Sequence, residues 1–247
     1  MKADILATGD EIRSGALVDS NSAYISEKLE ENGIEVVRHT CVGDDLPILT
    51  ATLREIGRRA DVAIVTGGLG PTTDDLSAEA AAQAAGVALA FDESAWANVE
   101  RFFKAFNRPM SASNRKQALL PEGAAVLTNP VGTAPGFALR IGKARFFFLP
   151  GVPYEMKRML TEQVIPDVLR LQGDAVLHSR VRTLTTFGLP ESLAGETVAE
   201  VESVFPGVKL GLRANFPQIQ VKLYGRDADA AALERRLSSA AAWAVQR

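Results

Sequence analysis

The stretch TGGLGPTTDD, residues 66–75, follows the apolar run Val62-Ala63-Ile64-Val65 directly. Gly67, Gly68 and Gly70, with Pro71 shaping the turn, let backbone approach a ligand closely, and Thr72 and Thr73 add hydroxyl donors at a helix entry. Asp74 and Asp75 come next, and carboxylates repel phosphate unless a cation stands between them. The combination points to an anion-and-metal site, with a plain glycine-rich turn as the competing reading. No Gly-Lys-Ser/Thr follows and no GxGxxG is present, so neither the Walker nor the dinucleotide fingerprint applies.

Two other acidic loops sit behind apolar runs. In TGDEI, residues 8–12, a turn that needs glycine accounts for Gly9 but not for Asp10 and Glu11 together. In Val42-Gly43-Asp44-Asp45, helix capping accounts for one acid and leaves the other for a cleft. NPVGTAPG at 129–136 and LPGVPYEM at 149–156 are polar, glycine-rich loops that ordinary turns would also explain. Loops that follow successive parallel strands share one sheet edge, where ligands of open α/β sheets sit.

The elements that must carry these loops alternate. Short apolar runs recur between stretches of helical spacing, which predicts an α/β fold, a three-layer αβα arrangement with a mostly parallel sheet. Strands are expected at Ile5–Ala7, Ile34–Thr40, Val62–Val65, Ala124–Leu127, Phe137–Ile141 and Arg145–Leu149. Helices are expected from Ser20, from Pro47, from Thr73 or Asp74 to Gly86, over 92–120, and from Pro153. Residues 171–247 read as strand, helix, strand, strand, helix, a small α+β second domain after a first domain over 1–170.

With 27 Lys and Arg against 30 Asp and Glu, the net charge of −3 gives no basic excess for nucleic acid. The expected partner is a small-molecule nucleotide, with neither nucleic acid nor membrane. His39, His178 and the single Cys41 show no nucleophile or zinc spacing. A cytoplasmic location is expected from the lone cysteine and from an N-terminus too soon polar for a signal peptide.

Together the six motifs, with Asp19 and Asn21, resemble the CinA (competence/damage-inducible protein A) family. The resemblance covers a molybdopterin-binding-like domain of the MoaB/Mog type, and the tail is similar to that family's KH-like linker domain. It implies divalent-metal-dependent hydrolysis of the pyrophosphate bond of ADP-ribose or a related nucleotide diphosphate, giving AMP and ribose 5-phosphate. Alternatives are non-catalytic molybdopterin or nucleotide binding, and adenylyl transfer in molybdenum-cofactor synthesis. It further implies a homo-oligomer and a divalent ion, Mg, Mn or Co. Asp10, Asp44 and Asp75 match the metal positions, with Asp44 and Asp75 catalytic and Asp74 left as a helix cap. Thr8, Gly9 and the loop Gly67–Thr73 would hold the substrate, with Asn21, Asn129, Gly132, Thr133 and Pro153 shaping the pocket. Many members carry a nicotinamide-nucleotide amidase domain; with the sequence ending at Arg247, that activity is not expected.

Overall fold

The computed structural model describes residues 1–173 and 177–247, so part of the expected domain junction lies outside the described residues. The chain divides into two compact units, Met1–Leu29 with Ile34–Leu171, and Glu30–Gly33 with Gln172–Arg247.

The first unit opens with β1 (Lys2–Thr8), α1 (Asp10–Arg13), α2 (Ser20–Glu31), β2 (Glu35–Val42), α3 (Leu46–Arg59) and β3 (Val62–Thr66). It continues through α4 (Ser77–Ala85), β4 (Leu89–Phe91), α5 (Glu93–Ala105), a 3-10 segment (Ala112–Ala118), β5 (Leu119–Pro121) and β6 (Ala125–Leu127). β7 (Gly136–Ile141), β8 (Ala144–Leu149), α6 (Pro153–Met159), a π turn (Leu160–Val164) and α7 (Ile165–Gln172) complete it.

The main sheet runs β2-β1-β3-β8-β7-β6, with the first four strands mutually parallel and β7 and β6 antiparallel. Side chains alternate between two cores. The register row Ile5–Ile64–Phe147 packs with Ile25 and Leu29 of α2 and with Met156 and Met159 of α6. The next row, Leu6–Val65–Phe148, packs with Leu49, Leu53 and Ile56 of α3 and with Ala80 and Ala81 of α4. A sheet buried on both faces is the three-layer αβα fold, and it explains why the strands read as unbroken apolar runs.

Local signals set several boundaries. The Asp45 carboxylate accepts from Ile48 N at 2.9 Å, with Pro47 in the first turn of α3, and Gly86 closes α4 in the left-handed region. Helix α4, however, begins at Ser77 rather than at Thr73 or Asp74, and its N-cap Leu76 makes no side-chain cap, so Asp74 caps nothing. Residues 92–120 are not one helix. α5 ends before Asn107, which has positive φ, and the chain resumes as a 3-10 segment capped by Ser111.

In the second unit, β9 (His178–Phe187), α8 (Glu191–Val198), α9 (Val201–Val204), β10 (Val208–Asn215), β11 (Gln218–Asp227) and α10 (Ala230–Val245) form a βαββα order with the first helix split. Its antiparallel sheet β10-β11-β9 lays Val221 and Leu223 against Leu233 and Leu237 of α10. Among the described residues no helix is long and apolar enough to cross a membrane.

One helix position inverts the usual propensity rule. A Cβ on Gly57 of α3 would lie 2.6 Å from the Ile141 carbonyl oxygen, and Gly57 O accepts from Lys143 N at 2.9 Å. Gly57→Ala is therefore expected to destabilise by about 1–3 kcal/mol, where an unhindered helix position would gain about 0.5–1 kcal/mol. Urea unfolding of the two proteins measures the sign.

Candidate functional site

Because β2, β1, β3 and β8 are parallel, their carboxyl ends emerge together, and the order reverses between β1 and β3, the switch point where α/β sheets bind ligands. A cleft of about 490 Å³ opens there. Of the residues expected from sequence, it gathers Thr8, Gly9, Asn21, Asp44, Gly67, Gly68, Gly70, Pro71, Asp75, Thr133 and Pro153.

The glycine loop lies directly on the end of β1. A Cβ on Gly67, at φ 108°, would stand 2.5 Å from Thr8 O, and one on Gly68, at φ 66°, would stand 2.5 Å from Ser77 Oγ. Ser77 Oγ donates to Gly67 O at 2.8 Å and Ser77 N to Gly68 O at 3.1 Å, which ties the loop to the start of α4.

Asn21 closes the cleft wall through a directed chain of hydrogen bonds. Its Nδ2 donates to Gly151 O at 2.8 Å and to Thr66 Oγ1 at 3.1 Å, and the Thr66 hydroxyl passes its own proton to Pro150 O at 3.1 Å. Both amide protons are thereby spent. Asn21 Oδ1 and the neighbouring Thr8 Oγ1 remain buried without a hydrogen-bond partner, at a cost of about 1–3 kcal/mol for a buried polar group left unmatched.

The cleft is acidic. Glu11, Asp19, Asp44, Asp74, Asp75 and Glu155 line it, and no Lys, Arg or His side chain does. Asp44 accepts from Asp10 N at 3.1 Å, yet burial pushes its carboxyl up, reinforced by the neighbouring carboxylates of Asp10, Glu11 and Asp74. Burial likewise pushes Glu155 up, against a hydrogen bond of 2.7 Å from Asn129 Nδ2.

Five expected residues do not line the cleft. Asp10 turns its carboxylate to Arg13 Nε at 3.0 Å and stands exposed, so it is not part of a three-aspartate cluster. Thr72 spends its amide, at 2.8 Å, and its hydroxyl on the Asp75 carboxylate, and its carbonyl accepts from Lys116 Nζ. Thr73 is exposed beside it, because these residues form a closed turn rather than the first turn of a helix. Asn129 is buried behind the wall, where its amide holds Ala134 O at 2.9 Å as well as Glu155. Gly132 makes room for that carboxylate, since a Cβ there would lie 2.1 Å from Glu155 Oε2.

Sequence reasoning left Glu155 and Gln117 unassigned. Glu155 was legible as the one acid in LPGVPYEM, half a turn into a helix that starts at the sheet edge. Gln117 follows Asn114 at i+3 and bonds it at 3.0 Å, and its Nε2 reaches Thr133 Oγ1 at 3.2 Å. That amide pair carried no motif.

The donor set decides which cation fits. Among the described residues no three His, Cys, Asp or Glu side chains converge to hold a metal ion. The carboxylates that remain, Asp44 and Asp75, offer oxygen only, which fits a hard ion completed by water and ligand phosphate, not a protein-only cage.

Comparison with known proteins agrees with this geometry. A family model described as a probable molybdopterin binding domain matches residues 4–170. A solved structure, the protein CinA of unknown function from Thermoplasma acidophilum, superposes with a TM-score of 0.63 at 33% identity, covering 67% of this chain and 98% of that one. The chain belongs to the CinA-like family. Curated CinA-like proteins of the family include those of Desulfosudis oleivorans, 48% identical over 98% of this chain, and Geobacter metallireducens, 42% identical over 100%. The chain spans 59% and 60% of the length of these two relatives.

The raised Glu155 carboxyl has a thermodynamic signature. Between its ordinary value, about 4.3, and its raised one, the folded protein keeps a proton the unfolded chain has lost, so stability falls as pH rises. Glu155→Gln keeps an acceptor for Asn129 and removes this loss. Urea unfolding is expected to show the variant gaining on the parent as pH rises from about 4 through the raised value, then holding level.

Proposed function

We propose that the first unit binds a phosphate-bearing nucleotide or molybdopterin-like molecule in this cleft, together with a divalent cation shared between Asp44, Asp75 and the ligand's phosphates. The observation that carries this reading is a phosphate-type glycine loop set among six carboxyl groups with no basic side chain in the lining. Such a wall attracts cations and repels a bare anion, so an anionic ligand needs its counter-ion. A bound divalent ion would neutralise phosphate oxygens and polarise the phosphorus.

The chain's own residues do the rest. Gly67, Gly68 and Gly70 bring the loop backbone within reach of the ligand. Asn21 Oδ1 and Thr8 Oγ1 offer buried oxygens to a ligand N–H or O–H. Asp75 holds Thr72 and so sets the loop's shape.

Hydrolysis of the pyrophosphate bond of ADP-ribose is the second reading. What favours it is that Asp44 and Glu155, both raised by burial, stand in the same cleft, where a carboxyl with raised affinity for protons can accept one from water near neutral pH. Asn129 fixes the orientation of Glu155.

Calorimetric titration with ADP-ribose tests the binding reading. Binding is expected with Mg, Mn or Co present and lost in chelator, and Asp44→Asn is expected to weaken it by about tenfold or more. Equal binding in chelator sinks the proposal. Chromatography of the same mixtures separates the readings: AMP that accumulates with the parent protein and stops with Glu155→Gln supports hydrolysis, and intact ADP-ribose supports binding alone.

A further inference from the structure

Beside the acidic cleft lies a second cavity of about 260 Å³ whose chemistry is the opposite. Gly68, Leu69, Gly70, Asp75 and Gln117 border both spaces, so the glycine segment is their common wall. Away from that wall the second cavity is lined by Leu89, Leu119, Leu120, Ala78 and Pro135. Leu89 is 37% exposed on β4, an apolar side chain facing a partly open space.

Charge enters at one rim. Lys116, absent from the acidic cleft, lines the second cavity, and its Nζ is bonded to the carbonyl of Thr72 in the acidic loop. A cation is thus anchored on the wall between an apolar slot and a carboxylate-rich cleft. Next to it Gln117 is locked by Asn114, with its Nε2 turned toward Thr133.

We infer that the ligand straddles the glycine segment: its phosphates occupy the acidic cleft and a planar heteroaromatic ring at its other end occupies the second cavity, with Lys116 beside the phosphates nearest the wall. The inference rests on the proposed phosphate-ligand reading and adds a substrate class, a diphosphate or triphosphate that carries a nucleobase or pterin ring. An uncharged ring gains from the apolar slot and would be poorly matched to a wall of carboxylates. Phosphates fit neither the leucine-lined slot nor the acidic cleft without a cation, and Lys116 meets them at the one place both spaces touch.

The test compares ligands with and without a ring. In the presence of Mg, the parent protein is titrated with inorganic pyrophosphate, ADP-ribose and dihydroneopterin triphosphate, the last two separating a nucleobase from a pterin. At least one ring-bearing ligand is expected to bind about tenfold or more tighter than pyrophosphate. Ala78→Phe and, independently, Leu89→Trp fill the second cavity from two elements and are expected to erase that advantage while pyrophosphate binding persists. Thermal melts by circular dichroism confirm that each variant is folded. Folded variants that keep the ring advantage overturn the inference, as does a parent protein that binds pyrophosphate as tightly as either ring-bearing ligand. A parent protein that binds none of the three overturns the phosphate-ligand reading and this inference with it.

Discussion

Four parallel strands buried on both faces are the constraint on which the site depends. In β1, β3 and β8 every side chain of the central rows belongs to one of two cores, so a one-residue slip would move Ile64 or Phe147 into the wrong layer. The fixed register delivers the ends of these strands to one edge at one level. There Gly67 N donates to Leu149 O at 3.0 Å and Gly9 N to Val42 O at 3.1 Å, carrying the ladder one residue into the loops. The acidic and glycine-rich segments meet because the hydrophobic layers leave them no other place.

That edge then meets an electrostatic problem. Glu155 and Asp44 are held where burial disfavours their charge, and Asp44 also faces neighbouring acids. Nothing basic lines the cleft to relieve this, and Asp75 is relieved only by Thr72. A cation offsets the repulsion, and a phosphate completes the cation's coordination, so each lowers the cost of binding the other. Coupling of this kind is reciprocal by thermodynamic necessity. It reconciles a phosphate-type glycine loop with a carboxylate-lined wall and with the lack of three converging carboxylates among the described residues.

Much of this was legible in the sequence where local rules act alone. Apolar runs announced the strands, Asp45 and Pro47 the start of α3, and Gly86 the end of α4. The grouping of acidic and glycine loops on one edge followed from the parallel sheet. What escaped depended on tertiary choice. Asp10 was free to ligate on paper, but Arg13 stands one turn away and claims it. Thr72 and Asp75, three residues apart, close a turn that displaces the helix start to Ser77, a competition between side chain and backbone that propensity does not resolve. Strand β4 is three residues long and pairs only with β5, which no periodicity announces. Pro109 marks the interruption of the expected helix over 92–120, and the exposed Phe106 lies at its end. Asn129 acts through Glu155, a relationship between loops 26 residues apart that only the fold creates.

The central claim is that cation and phosphate assemble in the cleft together. Electron paramagnetic resonance of free Mn, titrated with the protein in the absence and presence of inorganic pyrophosphate, tests it most directly. The free-ion signal has to be corrected for the Mn–pyrophosphate complex that forms without protein. The expected result is weak Mn binding by the protein alone and a ternary complex in its presence, lost in Asp44→Asn. Tight Mn binding without pyrophosphate, or no ternary complex with it, would contradict the account.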